Sequence, residues 1–214
     1  QSDIVGAYAG VRPLISSGDP RKSVDISRKA ELYETSSGML TITGGKLTTW
    51  RRMAKQTVDR LVEREGREAP CHTAEIPLGM EAREEDLRAP EGVGEEALAQ
   101  LAFRYGHAAR DVLALAREDS KLARPIVSGR PDLLAEAVIA VRREQARTVA
   151  DVLLRRTRLG LLAAPQLRDA ESVRDVAAAM GGELGWSRRE VKRAAEAWPA
   201  AAAEAGIDPA GSPD

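Results

Sequence analysis

A single cysteine, Cys71, stands in 214 residues. That excludes an internal disulfide framework, and with no second cysteine near it, a redox pair or a structural zinc site. A reducing compartment fits this usage. Aromatic residues make up only 3% of the chain, so a core must come chiefly from Ala, Leu, Val and Ile, a composition that favours helices. Charge of neither sign dominates. A formal net charge of −1 gives no global field to steer nucleic acid or an anionic membrane, so any anion site must be local. No apolar run approaches a membrane span, and the opening QSDIVGAYAG carries neither a start methionine nor a basic leader, so the chain is expected to be cut from a longer one. What is present is ample: 43% hydrophobic residues in this length supports one large domain or two small ones.

The first part reads as β structure. Val24, Ile26, Arg28, Ala30 and Leu32 share one face of an alternating run, with Asp25, Ser27, Lys29, Glu31 and Tyr33 on the other. TSSG, residues 35–38, reads as a turn into a second alternating run from Met39 to Thr43, which predicts a hairpin. GAYAGVRPLI is a further extended segment, because Pro13 drives Arg12 out of the helical region. After Gly44-Gly45 the period changes to about 3.6 residues. Trp50, Met53, Ala54, Thr57, Val58 and Leu61 then form one stripe, and Arg51, Arg52, Lys55, Asp59 and Arg60 the other, predicting a helix from about Leu47 to Arg64. REGREAPCHTAEIPLGM has no period and reads as a linker ending in a short extended segment near Ile76.

The rest is predicted helical: Glu95–Tyr105, Ala108–Glu118, Thr148–Arg158, Ser172–Leu184 and Ser187–Ala205, with breaks at Gly106, Pro125, Pro131, Gly160, Pro165 and Gly185. Thr148 with Asp151 and Ser187 with Glu190 match the pattern in which a hydroxyl and a carboxylate satisfy the free amides of a helix start. LLAEAVIAVRREQA fits a buried strand or a helix from near Asp132, and helix is preferred. The expected division is residues 1–64, a linker at 65–74, a helical region at 75–205 and a flexible tail at 206–214.

The chemistry concentrates where the hairpin meets the first helix. Two glycines let a ligand approach the backbone, and the first amides of a helix point at it with the positive end of the macrodipole behind them. Lys46 adds a full positive charge there, which the macrodipole disfavours unless something negative is bound. A Gly-Gly junction is also common punctuation between a strand and a helix. Arg28 falls on the face expected to be buried; it either has a partner or packs its stem at an edge with its head in water. With Arg12 it would complete a phosphate-sized set of cations. Cys71-His72 has no second pair for a metal, and the arginine-rich pieces VRREQAR, LLRRTRLG and WSRREVKR are interleaved with apolar residues at helical spacing, which reads as solvated faces and not as nucleic-acid binding.

Four segments in order, AYAGVRPL, DISRKAEL, LTITGGKLTTWRRMA and ARTVADVLLRRTRLGL, resemble the C-terminal half of FAD-dependent, quinone-linked glycerol-3-phosphate dehydrogenase, over about Tyr8 to Leu162. The resemblance implies an α+β chain: a fragment of a glycine-oxidase-like FAD and substrate domain, made of a β hairpin plus a helix, followed by a mainly α-helical C-terminal domain. It implies that Gly44, Gly45, Lys46, Leu47 and Thr48 lie against FAD, with Lys46 near the ring edge that becomes negative on reduction. Arg12 and Arg28, with Lys46, match the pocket for glycerol 3-phosphate. The reaction implied is hydride transfer from substrate C2 to flavin N5, giving dihydroxyacetone phosphate, with electrons passed to a membrane quinone. The dinucleotide fingerprint and the catalytic base of that family are missing, so FAD would be held mainly by an N-terminal part not present here, and the rest of its own chain is the first expected partner. The full-length protein would be cytoplasmic and peripheral at the inner face of the cell membrane. Two other readings stand beside this one: a helical module for homodimerisation or membrane-surface docking, and a related flavin oxidase that uses oxygen.

Overall fold

The computed structural model describes residues 9–10, 29–79 and 83–207. It is α+β, a two-stranded hairpin and helices, as the sequence predicts, and the chain divides into two compact units, Gly10–Leu78 and a helical unit that begins at Gly79. Among the described residues no helix is long and apolar enough to cross a membrane.

In the first unit β1 (Ala30–Glu34) and β2 (Leu40–Gly44) pair antiparallel, with Ala30 opposite Gly44 and Leu32 opposite Ile42. The turn closes as the TSSG pattern predicts, through Gly38 N–H to Thr35 C=O and Thr35 N–H to Met39 C=O, both 2.9 Å. Gly38 takes φ +80° there, a conformation side chains rarely adopt. A single 3-10 turn, Leu47–Thr49, leads into α1 (Trp50–Arg64).

The face α1 turns to the hairpin differs from the predicted stripe. Arg60 donates from Nε (3.0 Å) and Nη2 (2.7 Å) to Glu34, and Arg64 Nη1 donates to the Gly38 carbonyl (2.7 Å). Trp50, Val58 and Leu61 are left exposed. The reason is geometric: Glu34 and the turn carbonyl offer oxygen acceptors, and Arg60 and Arg64, four apart, lie on the one helix face that meets them. The extended segment expected near Ile76 does not form. Glu75 N–H closes a turn on His72 C=O at 2.9 Å, and Ile76 follows in a bend without a strand partner among the described residues.

The helical unit contains α2 (Glu95–Tyr105), α3 (Ala109–Glu118), α4 (Leu134–Glu144), α5 (Leu159–Leu162), α6 (Arg174–Leu184), α7 (Arg188–Glu196) and α8 (Trp198–Glu204). The ambiguous apolar run is α4, and it is a helix because both of its sides are covered. Leu134, Ala137 and Ala140 face the core shared with α6 and α8, while Ala135, Val138 and Ile139 face the core shared with α2 and α3. A helix buried all round has no polar stripe to reveal its period.

The expected helix at 148–158 is a wide π-type turn over Asp151–Arg156, where Thr157 N–H and Thr157 Oγ1 both reach the Val152 carbonyl (3.0 and 3.1 Å). The predicted cap is present: Asp151 N–H donates to Thr148 Oγ1 and Thr148 N–H to Asp151 Oδ2 (3.1 and 2.9 Å). Ser187 and Glu190 cap α7 in the same way. Gly160 is not a break but a packing device inside α5, since a Cβ there would lie 2.9 Å from Trp198 Cη2 and 2.6 Å from Leu154 Cδ2. The predicted last helix divides into α7 and α8 because Pro199, in the first turn of α8, has no amide to continue the ladder. Ile207, expected in the tail, is buried in the core and bonds Ala202 C=O through its amide (2.9 Å), so the fold includes this residue.

A buried ionic knot ties α2 to α4. Arg104 pairs with Glu136 and, at 2.8 Å, with Asp132, while Tyr105 Oη donates to Glu136 at 3.0 Å. Glu136 also accepts from Leu133 N–H at 2.8 Å, capping α4 from inside the protein. Burial pushes the Glu136 carboxyl above its ordinary value, against the pull of Arg104. Burial and the neighbouring Glu136 likewise push the Tyr105 hydroxyl up, so it remains a donor.

Candidate functional site

The site is built at the junction of β2 and α1. Gly44 and Gly45 both take φ +74°, which turns the chain sharply out of the hairpin. Gly45 has an internal reason to be glycine: a Cβ would sit 2.5 Å from Met53 Sδ. Gly45 therefore serves the packing of α1 on its own junction. Lys46 is extended (φ −126°, ψ 152°), and Thr49 fixes it from both sides. Thr49 Oγ1 accepts from Lys46 N–H (3.1 Å) and donates to Lys46 C=O (2.9 Å), which also accepts from Thr49 N–H (2.9 Å). The amides of Leu47 and Thr48 open the helix and have no intrahelical acceptor. Leu47 is 90% exposed.

Beside this junction lies a cleft of about 450 Å³ lined by Lys29, Lys46, Thr49, Arg52, Met53 and Gln56 together with Ala30. The register explains the meeting: Ala30 pairs with Gly44, so the residue before Ala30 comes level with the chain that leaves β2. Arg52 and Gln56 follow one turn apart on α1. Among the described residues, three cations and no carboxylate line the cleft. Such a lining favours an anionic group, and Thr49 and Gln56 add neutral hydrogen-bonding capacity.

Of the predicted site residues, the structure brings Gly44, Gly45, Lys46, Leu47 and Thr48 together at one turn. Arg12 and Arg28 lie outside the described residues. Lys29, Thr49 and Arg52 were not singled out by sequence reasoning. Lys29 alternates to the face opposite Arg28, and Arg52 reads as part of a solvated stripe; the signal that could have found Arg52 is its place in the first turn of α1, where a cation runs against the macrodipole as Lys46 does.

The edge of a reduced flavin and a phosphate group are both anions, and the donors present fit either: an ammonium, a guanidinium and a second lysine around one cleft, beside two amides that have no acceptor among the described residues. Among known proteins, the family model described as the C-terminal domain of alpha-glycerophosphate oxidase matches residues 39–191. Glycerol-3-phosphate dehydrogenase 1 of Mycobacterium tuberculosis is 38% identical over 179 residues, which is 82% of this chain and 33% of that protein. Glycerol-3-phosphate dehydrogenase 2 of the same organism is 32% identical over 200 residues, 90% of this chain and 34% of that protein. A probable mitochondrial glycerol-3-phosphate dehydrogenase of Dictyostelium discoideum is 35% identical over 179 residues, 76% of this chain and 27% of that protein. The chain thus spans about a third of the length of the curated relatives it matches. With more than half of its residues under that family model and relatives of this identity along most of its length, the chain belongs to the glycerol-phosphate dehydrogenase and oxidase family, of which it carries the C-terminal portion.

Proposed function

We propose that this chain forms part of an FAD-dependent enzyme that oxidises sn-glycerol 3-phosphate to dihydroxyacetone phosphate and passes the electrons to a quinone. The observation that carries the reading is the cleft lined by Lys29, Lys46 and Arg52 beside the helix-opening amides of Leu47 and Thr48. FAD, when bound, supplies the two-electron acceptor for the hydride leaving substrate C2. Gly44 to Thr48 would hold its ring edge with backbone N–H groups, and the Lys46 ammonium would stabilise negative charge there; Thr49 fixes the Lys46 backbone from which that side chain extends. Arg12 and Arg28 take the phosphate and oxygen atoms of the substrate.

In this reading residues 1–64 complete an FAD and substrate domain supplied mostly by other parts of the protein, 65–74 link it, and 75–205 form a helical domain. The whole protein is cytoplasmic and peripheral at the inner face of the membrane. The exposed Leu47 and Trp50 at the junction support a missing neighbour, the rest of the same polypeptide. This chain alone is expected neither to retain FAD nor to turn over substrate; a yellow purified sample that reduces a dye with glycerol 3-phosphate would contradict that. In the natural full-length polypeptide, Lys46→Gln is expected to lower kcat about 10²–10³-fold, the scale of one preorganised donor to developing negative charge. Arg12→Ala and Arg28→Ala are expected to raise KM for glycerol 3-phosphate, and unchanged kinetics in all three variants would remove the site. A second reading, with oxygen as acceptor, is favoured by the oxidase in the matched family's description. Peroxide formed in step with substrate oxidation would select it over quinone reduction.

A further inference from the structure

Five basic residues stand on α1, and three of them have their acceptors within the hairpin unit. Lys55 pairs with Asp59, Arg60 with Glu34 and Glu63 (2.7 and 2.9 Å), and Arg64 Nη1 donates to the Gly38 carbonyl (2.7 Å). The side chains of Arg51 and Arg52 have no ion pair or hydrogen bond among the described residues, and of these two only Arg52 lines the cleft at the hairpin junction. We propose that Arg52 is a specificity-determining residue of that site, its guanidinium taking the phosphate of glycerol 3-phosphate. The inference rests on the proposed oxidation of that substrate, and it adds to Arg12 and Arg28 a phosphate contact that the family resemblance does not assign.

One helical spacing on α1 is filled in two ways. Four residues after Lys55 stands Asp59, and four residues after Arg52 stands Gln56. Side chains so spaced lie one turn apart on the same face. Asp59 neutralises its lysine, whereas the Gln56 amide is uncharged and brings two further N–H donors. Gln56 lines the same cleft as Arg52. Thr49 lines it too, but its hydroxyl is committed to the Lys46 backbone. The Arg52 charge is therefore not compensated from its own helix, and the neighbour placed to share a guest with it is a second donor. A planar guanidinium fork beside such a donor suits a group that only accepts and carries several oxygens on one centre.

Of the two anionic groups in the proposed reaction, the phosphate is the one that meets this description. It carries about −1.5 to −2 at neutral pH on three acceptor oxygens. The flavin edge gains charge only as the hydride arrives, and the junction amides and Lys46 are assigned to it. The two cations then differ in what they act on. Charge that develops during the reaction is felt in kcat, which is the role of Lys46. The phosphate keeps its charge from bound substrate to transition state, so a contact with it contributes equally to both and is felt in KM.

The test uses the natural full-length polypeptide with FAD bound. In Arg52→Gln, KM for glycerol 3-phosphate should rise roughly ten- to a hundredfold at unchanged kcat, the scale of one hydrogen bond to a charged group. Inorganic phosphate, titrated by calorimetry without turnover, should lose affinity by a similar factor, and Arg52→Lys, which keeps the charge without the fork, should recover part of both losses. An unsubstituted enzyme that does not oxidise glycerol 3-phosphate refutes the proposed function before any variant is made. Where it does oxidise it, unchanged KM and phosphate affinity in Arg52→Gln overturn the role of Arg52 alone, as does an unsubstituted enzyme that binds no phosphate. A fall in kcat at constant KM overturns it in favour of the flavin edge, and loss of the flavin absorbance from the variant overturns it in favour of a phosphate of the cofactor.

Discussion

From residue 29 to residue 78 not one residue is buried, whereas in α4 seven consecutive residues, Leu134 to Ala140, are. The two units come from one chain of ordinary hydrophobic content, so the difference lies in where their apolar residues find partners. The helical unit closes two contiguous cores over its own side chains. The hairpin and α1 present Trp50, Val58, Leu61 and Met39 to solvent and hold together through Arg60, Arg64 and the strand ladder. A two-stranded hairpin with one helix lacks the apolar area to be stable in isolation. One unit is a finished structure; the other is shaped for a surface that residues 29–78 do not contain.

The sharpest way to break this comparison is hydrogen exchange on the full chain. Amides of Ala137 to Val141 in α4 should exchange at least roughly 10³-fold more slowly than those of Thr57 to Leu61 in α1, because local opening of α1 exposes almost nothing new. Similar protection in both would show that the hairpin unit has a core after all. Next in size is a matched pair of tryptophans. Trp198 is buried, donates Nε1–H to Leu167 C=O at 2.7 Å and fills the space above Gly160, so Trp198→Ala should destabilise by about 3–5 kcal/mol. Trp50→Ala should stay within about 0.5 kcal/mol in urea unfolding of the same chain. Equal effects would erase the distinction.

Smaller, and confined to the helical unit, is the cost of cutting the ionic knot. Arg104→Leu leaves Asp132 and Glu136 buried without their cation and should cost about 3 kcal/mol. The double variant Arg104→Leu/Glu136→Leu should recover part of that loss in the same unfolding measurement, since the unpaired charge is what penalises the single change.

The smallest effect is on pH dependence. The amides of Arg147 and Thr148 and the Thr148 hydroxyl hold the Asp151 carboxyl below its ordinary 3.8, although burial opposes them. Bonds from the Ser187 amide and hydroxyl hold Glu190 below its ordinary 4.5. Depressed carboxyls contribute stability above their unfolded values that is lost as pH falls through the folded ones. Glu136, raised by burial, runs the other way: its contribution is complete at low pH and declines as pH rises through its folded value. The chain should therefore lose stability on acidification below about pH 4, and Asp151→Asn should flatten that limb of a urea-midpoint series.

How much of this was legible depended on whether a residue's role is local. The caps at Thr148 and Ser187, the hairpin turn and the Gly-Gly-Lys junction are set by neighbours within four residues, and the sequence shows them directly. Glu136 was invisible because its partners, Arg104 and Tyr105, are about thirty residues away and its capping target is a leucine amide, without the Ser or Thr that marks such caps. Arg60 reads as part of the polar stripe because helical period alone cannot tell that the nearest surface offers oxygens instead of methyl groups. In the candidate site, Lys46 stood out by its conflict with the helix dipole. Lys29 and Arg52 reach the same cleft only through strand register and the first turn of α1, which a linear reading does not relate.

The arginine clasp between α1 and the hairpin has a practical corollary. Exposed pairs such as Arg60 with Glu34 weaken as the Debye length shrinks, from about 10 Å at 0.1 M salt to about 3 Å at 1 M, while apolar packing does not. Ionic strength is therefore a dial that loosens the grip on the first helix and leaves the apolar helical bundle untouched.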